Sequence, residues 1–220
     1  MTFTNTFTHK LSYFSYQFVS RSFMNFLAHL YLSGNDEQLM IGNFIADSVK
    51  GSSYNKFPEG IKKGILLHRA IDFYSDNHPV FAKSVQRLQP NYRKYAGVIV
   101  DIFYDHFLAK NWKNYSEKNL QQYADEVHSL MLKNILLMPD KSLMFLKYAI
   151  RTNRLVSYAT LDGIGEVLYG MSRRTTFKSN MEFATAELKE YYSEFENEFK
   201  IFFDDARRFV EEWLTTNYTN

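Results

Sequence analysis

No cysteine occurs among the 220 residues. That absence excludes disulfides, thiolate zinc sites, iron–sulfur clusters and a cysteine nucleophile. Any metal held by this chain is held through nitrogen and oxygen, a donor set that suits Mn, Mg or Fe and leaves zinc open. Prolines number four, and they fall where helices would begin or end. No apolar run approaches the roughly 20 residues needed to cross a bilayer, so no membrane insertion is expected and the cytoplasm is the expected compartment. A Walker phosphate loop, a GxSxG elbow and a dinucleotide fingerprint are also missing, which leaves nucleotide-fuelled and serine-hydrolase chemistry unsupported. The first 23 residues contain no acid and no continuous apolar core like that of a secretory signal. They are expected to stand outside the fold, as a stretch upstream of a start at Met24 or else as a docking arm; residues 24–220 are expected to form one domain.

Helical periodicity runs through nearly all of that domain and predicts an all-α, compact multi-helix fold. Asn35 or Asp36 is positioned to cap a helix carrying Leu39, Met40, Phe44, Ile45 and Val49 until Gly51. Pro58 opens a helix through about Ser75, Pro79 opens a short one, and Pro90 precedes a long one ending near Asn111. Ser116 is the expected cap of a helix reaching Leu137, and Pro139 breaks the chain before Leu143, Leu146 and Ile150. Gly163, Gly165 and Gly170 make 155–174 the least regular stretch. Two further helices are expected at the end, around Leu188 to Phe202 and around Phe209 and Trp213. The run VIVDIFY has strand propensity, but its extension to Leu108 at helical period favours helix. The aromatic residues follow these stripes without interleaving Lys and Arg, so they read as core, and no nucleic acid is expected as a partner.

Against this background six metal-capable side chains stand out: His29, His68, Asp72, Asp101, Asp105 and His106. His68 and Asp72 are four residues apart in HRAID, as are Asp101 and Asp105 in DIFYDH, so each pair shares one helix face. Ile61, Ile65, His68 and Asp72 follow a buried stripe, and so do Val98, Asp101, Asp105 and Leu108. Burying such groups is costly without partners. A divalent cation shared by two helices is one partner, and a salt-bridge network with Arg69 or Arg93 is the other. His29 lies three residues after Phe26, on the apolar face. Asp47 sits near a helix C-terminus, where the dipole disfavours a carboxylate. His106 falls on the Ile102 stripe as a ligand or a neighbour of ligands. Asp76 and His78 read as capping residues, and His9 and His128 as structural or surface ones.

Charge is uneven along the chain. Residues 181–220 hold ten acids and four bases, whereas residues 24–180 hold 14 acids and 20 bases. A basic body suits an anionic substrate or an acidic partner. Arg173 and Arg174, after a glycine-rich stretch, form a basic step whose forks suit phosphate oxygens, or else dress a helix C-terminus.

The signatures NFLAHL (25–30), GNFIAD (42–47), HRAID (68–72), SDN (75–77), DIFYDHFL (101–108) and GMSRR (170–174) give a family resemblance. From Met24 to about Trp213 the chain resembles the acyl carrier protein phosphodiesterases, themselves remotely similar to HD-type metal phosphohydrolases. The resemblance implies an HD-like helical fold, a Mn(II)-type ion with Mg or Fe as alternatives, and hydrolysis of the phosphodiester joining 4′-phosphopantetheine to a serine of acyl carrier protein. His29, Asp47, His68, Arg69, Asp72, Asp101, Asp105, His106, Arg173 and Arg174 stand where that pattern has the same residues. In the chemistry this suggests, His29, His68, Asp72, Asp101, Asp105 and His106 are candidate metal ligands. Asp47 orients water, and Arg69, Arg173 and Arg174 meet phosphate charge. Two rival readings are an HD-like hydrolase of a nucleotide or other small phosphate ester, and a non-enzymatic helical binding module.

Overall fold

A computed structural model describes residues 26–218, and among them there are helices and no strands, in one compact domain. In chain order the helices are α1 (Phe26–Leu32), α2 (Glu37–Ile45), α3 (Glu59–Asn77), α4 (Pro79–Tyr92), α5 (Ala96–Lys110), α6 (Leu120–Lys133), α7 (Asp140–Arg151), α8 (Arg154–Ser157), α9 (Leu161–Ser172), α10 (Thr185–Glu190) and α11 (Tyr192–Tyr218). The expectation for residues 1–23 lies outside the described residues. No described helix is long and apolar enough to cross a membrane.

Several boundaries differ from the sequence reading, each for a local reason. Asp36 caps α2 by accepting from the Gln38 and Leu39 N–H groups, but α2 stops at Ile45 and tightens into a 3-10 turn, Ala46–Ser48, that carries Asp47. Asn119, not Ser116, caps α6 by accepting from Gln122 N–H at 2.9 Å. Pro90 lies inside the last turn of α4, and the chain breaks instead at Arg93, whose φ is 49°. VIVDIFY is helical, within α5. The stretch 155–174 contains α8 and α9. The C-terminal helix α11 is continuous over 27 residues, about 40 Å at 1.5 Å per residue.

The core is largely aromatic. Phe195, Phe199 and Phe203 recur every four residues on α11, so they form one stripe; with Phe103 and Phe107 of α5 they are fully buried. Each such side chain contributes about 1.5–3 kcal/mol on leaving water. Glu198, between those phenylalanines, turns to α4, where Arg87 meets it with a two-pronged ion pair at 2.6 and 2.7 Å and Ser84 donates to it at 2.5 Å.

Two glycines bring α2 and α3 together. A Cβ on Gly42 would lie 2.1 Å from the Ile61 carbonyl oxygen and 2.8 Å from Gly64 Cα, and one on Gly64 would lie 2.3 Å from the Leu39 carbonyl oxygen. The helix backbones therefore touch at a place where only hydrogen fits. The next residue after Gly42 is Asn43, and one turn after Gly64 comes His68. Those two side chains meet because the backbones do.

Candidate metal centre

Four segments converge beyond this contact. α1 supplies His29, α2 supplies Asn43, the 3-10 turn supplies Asp47, and α3 supplies His68 and Asp72 from one face. The two imidazoles stack with centroids 4.1 Å apart. Asn43 Oδ1 faces the Nδ1 atoms of both, at 3.0 Å from His29 and 2.8 Å from His68. Its amide cannot be the other way round, because Nδ2 donates to the His29 carbonyl at 2.9 Å and to Ser33 Oγ at 3.0 Å. Hence Oδ1 is the acceptor and both histidines carry their proton on Nδ1.

That tautomer turns both Nε2 atoms toward carboxylates. His29 Nε2 lies 3.4 Å from Asp72 Oδ1; His68 Nε2 lies 3.4 Å from Asp72 Oδ2 and 3.3 Å from Asp47 Oδ1. A lone pair facing a carboxylate oxygen requires a positive charge between them. Burial, and then the neighbouring His68, hold His29 below its usual range; burial pulls His68 the same way, but the charges of Asp72 and Asp47 carry it above. A proton can thus serve at His68, while His29 Nε2 remains buried without a hydrogen-bond partner. Donors bonded to one ion at about 2.1 Å stand roughly 3.0–3.4 Å apart. The two His–Asp72 distances of 3.4 Å match, and one donor atom from each of His29, His68 and Asp72 lies within 4.8 Å of the others, so a small shift of these side chains would seat a divalent cation. Asp47 lies against the same nitrogen of His68.

The remaining sequence candidates go elsewhere. Among the described residues the group able to hold an ion is His29, His68 and Asp72, and Asp101, Asp105 and His106 are not in it. Asp105 is buried at the start of α1, where it accepts from Leu27 N–H at 3.1 Å and Ala28 N–H at 2.8 Å. It anchors the helix that carries His29, and burial pushes its pKa up to about 7 despite those bonds. His106 has both nitrogens engaged, Nδ1 with the Tyr158 carbonyl and Nε2 with the Tyr192 hydroxyl, each at 2.8 Å. Asp101, one turn before Asp105, is half-buried. Arg69 donates from Nη2 to the Val49 carbonyl at 2.8 Å and lies over the Tyr54 ring, bracing the turn that bears Asp47. Arg93, the other arginine considered for a salt-bridge network, is exposed.

The arginine step is split. Arg173 lines a cleft of about 220 Å³ with Ser172, Lys178, Ser179 and Glu182, whereas Arg174 lies over the Tyr148 ring at 5.3 Å. Asn43 is the residue the sequence reading missed. Its signal was a polar side chain at a buried stripe position, four after Leu39 and one before Phe44.

Fold and site together define a protein whose described residues are helical and surround a cluster of two buried histidines and a half-buried aspartate, a donor set suited to a cation. By sequence, the chain belongs to the acyl carrier protein phosphodiesterase family, whose model matches residues 24–206. Relatives named acyl carrier protein phosphodiesterase include one from Photorhabdus laumondii, 31% identical over 79% of this chain and 88% of its own length. Others come from Serratia proteamaculans, 29% identical over 82% and 94%, and from Escherichia coli O157:H7, 30% identical over 82% and 94%. No solved structure matches the chain.

Proposed function

We propose that this protein is a metal-dependent phosphodiesterase that hydrolyses the bond between 4′-phosphopantetheine and the serine of holo acyl carrier protein, in the cytoplasm. The names of the relatives supply the substrate, and the cluster with its orphaned His29 Nε2 beside Asp72 carries the chemistry. His29, His68 and Asp72 would hold the ion, with Asp47 beside them; Mn(II) is the expected metal, and Mg(II) and Fe(II) suit the same donors. Such an ion supplies Lewis acidity toward the phosphate and a lowered pKa for water. Asp47 takes the proton of the attacking water. Arg69, with one nitrogen committed to Val49, keeps its other N–H groups for a phosphoryl oxygen. Attack at phosphorus breaks the bond to the seryl oxygen, which leaves as a hydroxyl with the proton that Asp47 took from the water, so that Asp47 is returned ionised. The products are 4′-phosphopantetheine and the apo carrier protein.

A protein substrate needs a docking surface, and the exposed residues around α7 support one there. The 3-10 turn Ile135–Leu137 and the outer face of α7 leave Leu136 97% and Met144 72% exposed, among the exposed cations Lys133, Lys141, Lys147 and Arg151. The inner face of α7 reaches the turn bearing Asp47, with Ser142 Oγ donating to Ser48 Oγ at 2.8 Å. Apolar spots framed by lysines suit an acidic, amphipathic partner and would guide its approach. The decisive experiment is mass spectrometry of holo acyl carrier protein incubated with the protein, with Mn(II) and with EDTA. Metal-dependent loss of the phosphopantetheine mass, abolished by His68→Ala and Asp72→Ala, is expected. Unchanged holo protein, or full turnover in both variants, refutes the proposal.

A further inference from the structure

A cleft of about 790 Å³ opens beside the end of α1, within the roughly 300–1,000 Å³ that organic ligands occupy. Tyr31, in its lining, stands two residues beyond His29 and so about 200° round the helix. The cleft and the His–Asp cluster therefore lie on opposite sides of α1. Its walls are aromatic and already set. Tyr31 meets Trp112 at 5.6 Å and Tyr115 at 6.1 Å, both edge to face, and Trp112 lies 4.7 Å from Tyr123. The Tyr31 hydroxyl donates to the Tyr115 carbonyl at 3.0 Å and the Trp112 indole N–H to the Lys118 carbonyl at 2.9 Å, so these rings are held without a ligand. Walls fixed beforehand lower the cost of binding.

The charge of the cleft decides what can enter it. Glu37, Glu117, Glu126, Glu211, Lys118 and Arg207 are in the lining. Lys118 is matched by Glu126 at 2.5 Å and Arg207 by Asp204 at 4.0 Å. Glu37 lies in the first turn of α2, where the helix dipole favours an acid. That leaves Glu117 and Glu211, which are exposed and, among the described residues, form no ion pair. A phosphate or an acidic protein is repelled there, which sets this cleft apart from the proposed reaction. One further group is unspent. The hydroxyl of Tyr123, in the same lining, is buried with no hydrogen-bond partner, and its oxygen can accept from an N–H donor.

We propose that this cleft binds an organic cation, an amine carrying a ring-sized apolar body. The ammonium finds carboxylates in Glu117 and Glu211 and an acceptor in Tyr123, and the aromatic walls attract its charge. The apolar body is covered by Val127, Leu130, Val210 and Leu214.

The test titrates the full-length protein, without metal, with phenethylamine, and with phenethyl alcohol and phenylacetate as its neutral and anionic counterparts. Calorimetry and the fluorescence of Trp112, in a Trp213→Phe background, read the binding. The amine is expected to saturate with a Kd of roughly 1 mM, as its size allows. It should bind about 10-fold tighter than the alcohol, and phenylacetate should not bind. Glu117→Gln combined with Glu211→Gln, at exposed positions that leave the core intact, should erase the preference for the amine over the alcohol. Tyr123→Phe should weaken the amine several-fold, and His68→Ala should change nothing. The proposal is overturned if the amine shows no saturation, if all three compounds bind alike, or if the preference survives the glutamate substitutions. An affinity that Tyr123→Phe leaves unmoved overturns it too, as does loss of amine binding with His68→Ala, which would place the amine at the His–Asp cluster. No arm of the test depends on turnover, so the phosphodiesterase activity stands or falls separately.

Discussion

Asn43→Ala removes the acceptor shared by two imidazoles. In the wild type the side chain makes four buried contacts: to Nδ1 of His29 and of His68, to the His29 carbonyl and to Ser33 Oγ. The substitution strands both Nδ1–H groups, and each unsatisfied buried donor costs about 1–3 kcal/mol. Partial relaxation leaves a net loss of about 3–5 kcal/mol, a large share of the roughly 5–15 kcal/mol that holds a domain together. At about 2–4 °C per kcal/mol for a domain of this size, the melting temperature should fall by about 6–20 °C. The free rings should also populate the other tautomer, which withdraws the Nε2 lone pairs, and groups that orient ligands in this way are worth roughly 10- to 100-fold in metal affinity. Calorimetric titration with Mn(II) and imidazole nitrogen NMR measure the two effects separately. Asn43→Asp retains an acceptor for the rings and should keep the Nδ1–H tautomers. If Asn43→Ala binds Mn(II) as tightly as wild type with its tautomers unchanged, the amide does not set the geometry and the argument fails.

Other consequences are equally open to measurement. Glu198→Ala should cost about 3 kcal/mol by leaving Arg87 without its buried partner. Burial works against the Glu198 carboxylate, but bonds from Arg87, Ser84 and Lys83 hold it below its usual range. Its stabilisation is therefore present above the unfolded value near 4.5 and is lost as pH falls through the lower folded value; a wild-type acid unfolding curve that Glu198→Ala leaves unchanged would contradict this. Asp105 has the opposite sign, since its folded pKa is raised to about 7. The stability it contributes is complete below about 4 and drains away as pH rises toward 7, so Asp105→Asn should flatten that part of a melting-temperature profile. At the proposed docking face, Leu136→Asp or Lys141→Glu should raise KM for holo carrier protein several-fold with kcat unchanged, and the lysine effect should shrink in high salt. A fall in kcat at constant KM would place these residues elsewhere in the reaction.

The helices were legible because their buried stripes are long and regular, and His68 with Asp72 was legible because four residues make one turn. Asp101, Asp105 and His106 looked equally ligand-like, since a buried carboxylate on an apolar stripe needs a partner and sequence does not name it. For Asp105 the partners are backbone N–H groups of α1, nearly eighty residues away in sequence. For His106 they are a carbonyl and a phenol from α8's end and α11. Asn43 escaped notice for the converse reason: an amide carries no charge, so nothing about its burial looked costly.

The contact between Gly42 and Gly64 bears on how the family can vary. Neither residue holds a proton, a metal or a phosphate, yet any side chain at either forces α2 away from α3 and carries Asn43 off His68. A saturation scan scored on turnover would therefore rank two positions without functional groups beside the ligands themselves. Their intolerance would mark the thickness of a single missing methyl group, the tolerance to which this centre is machined.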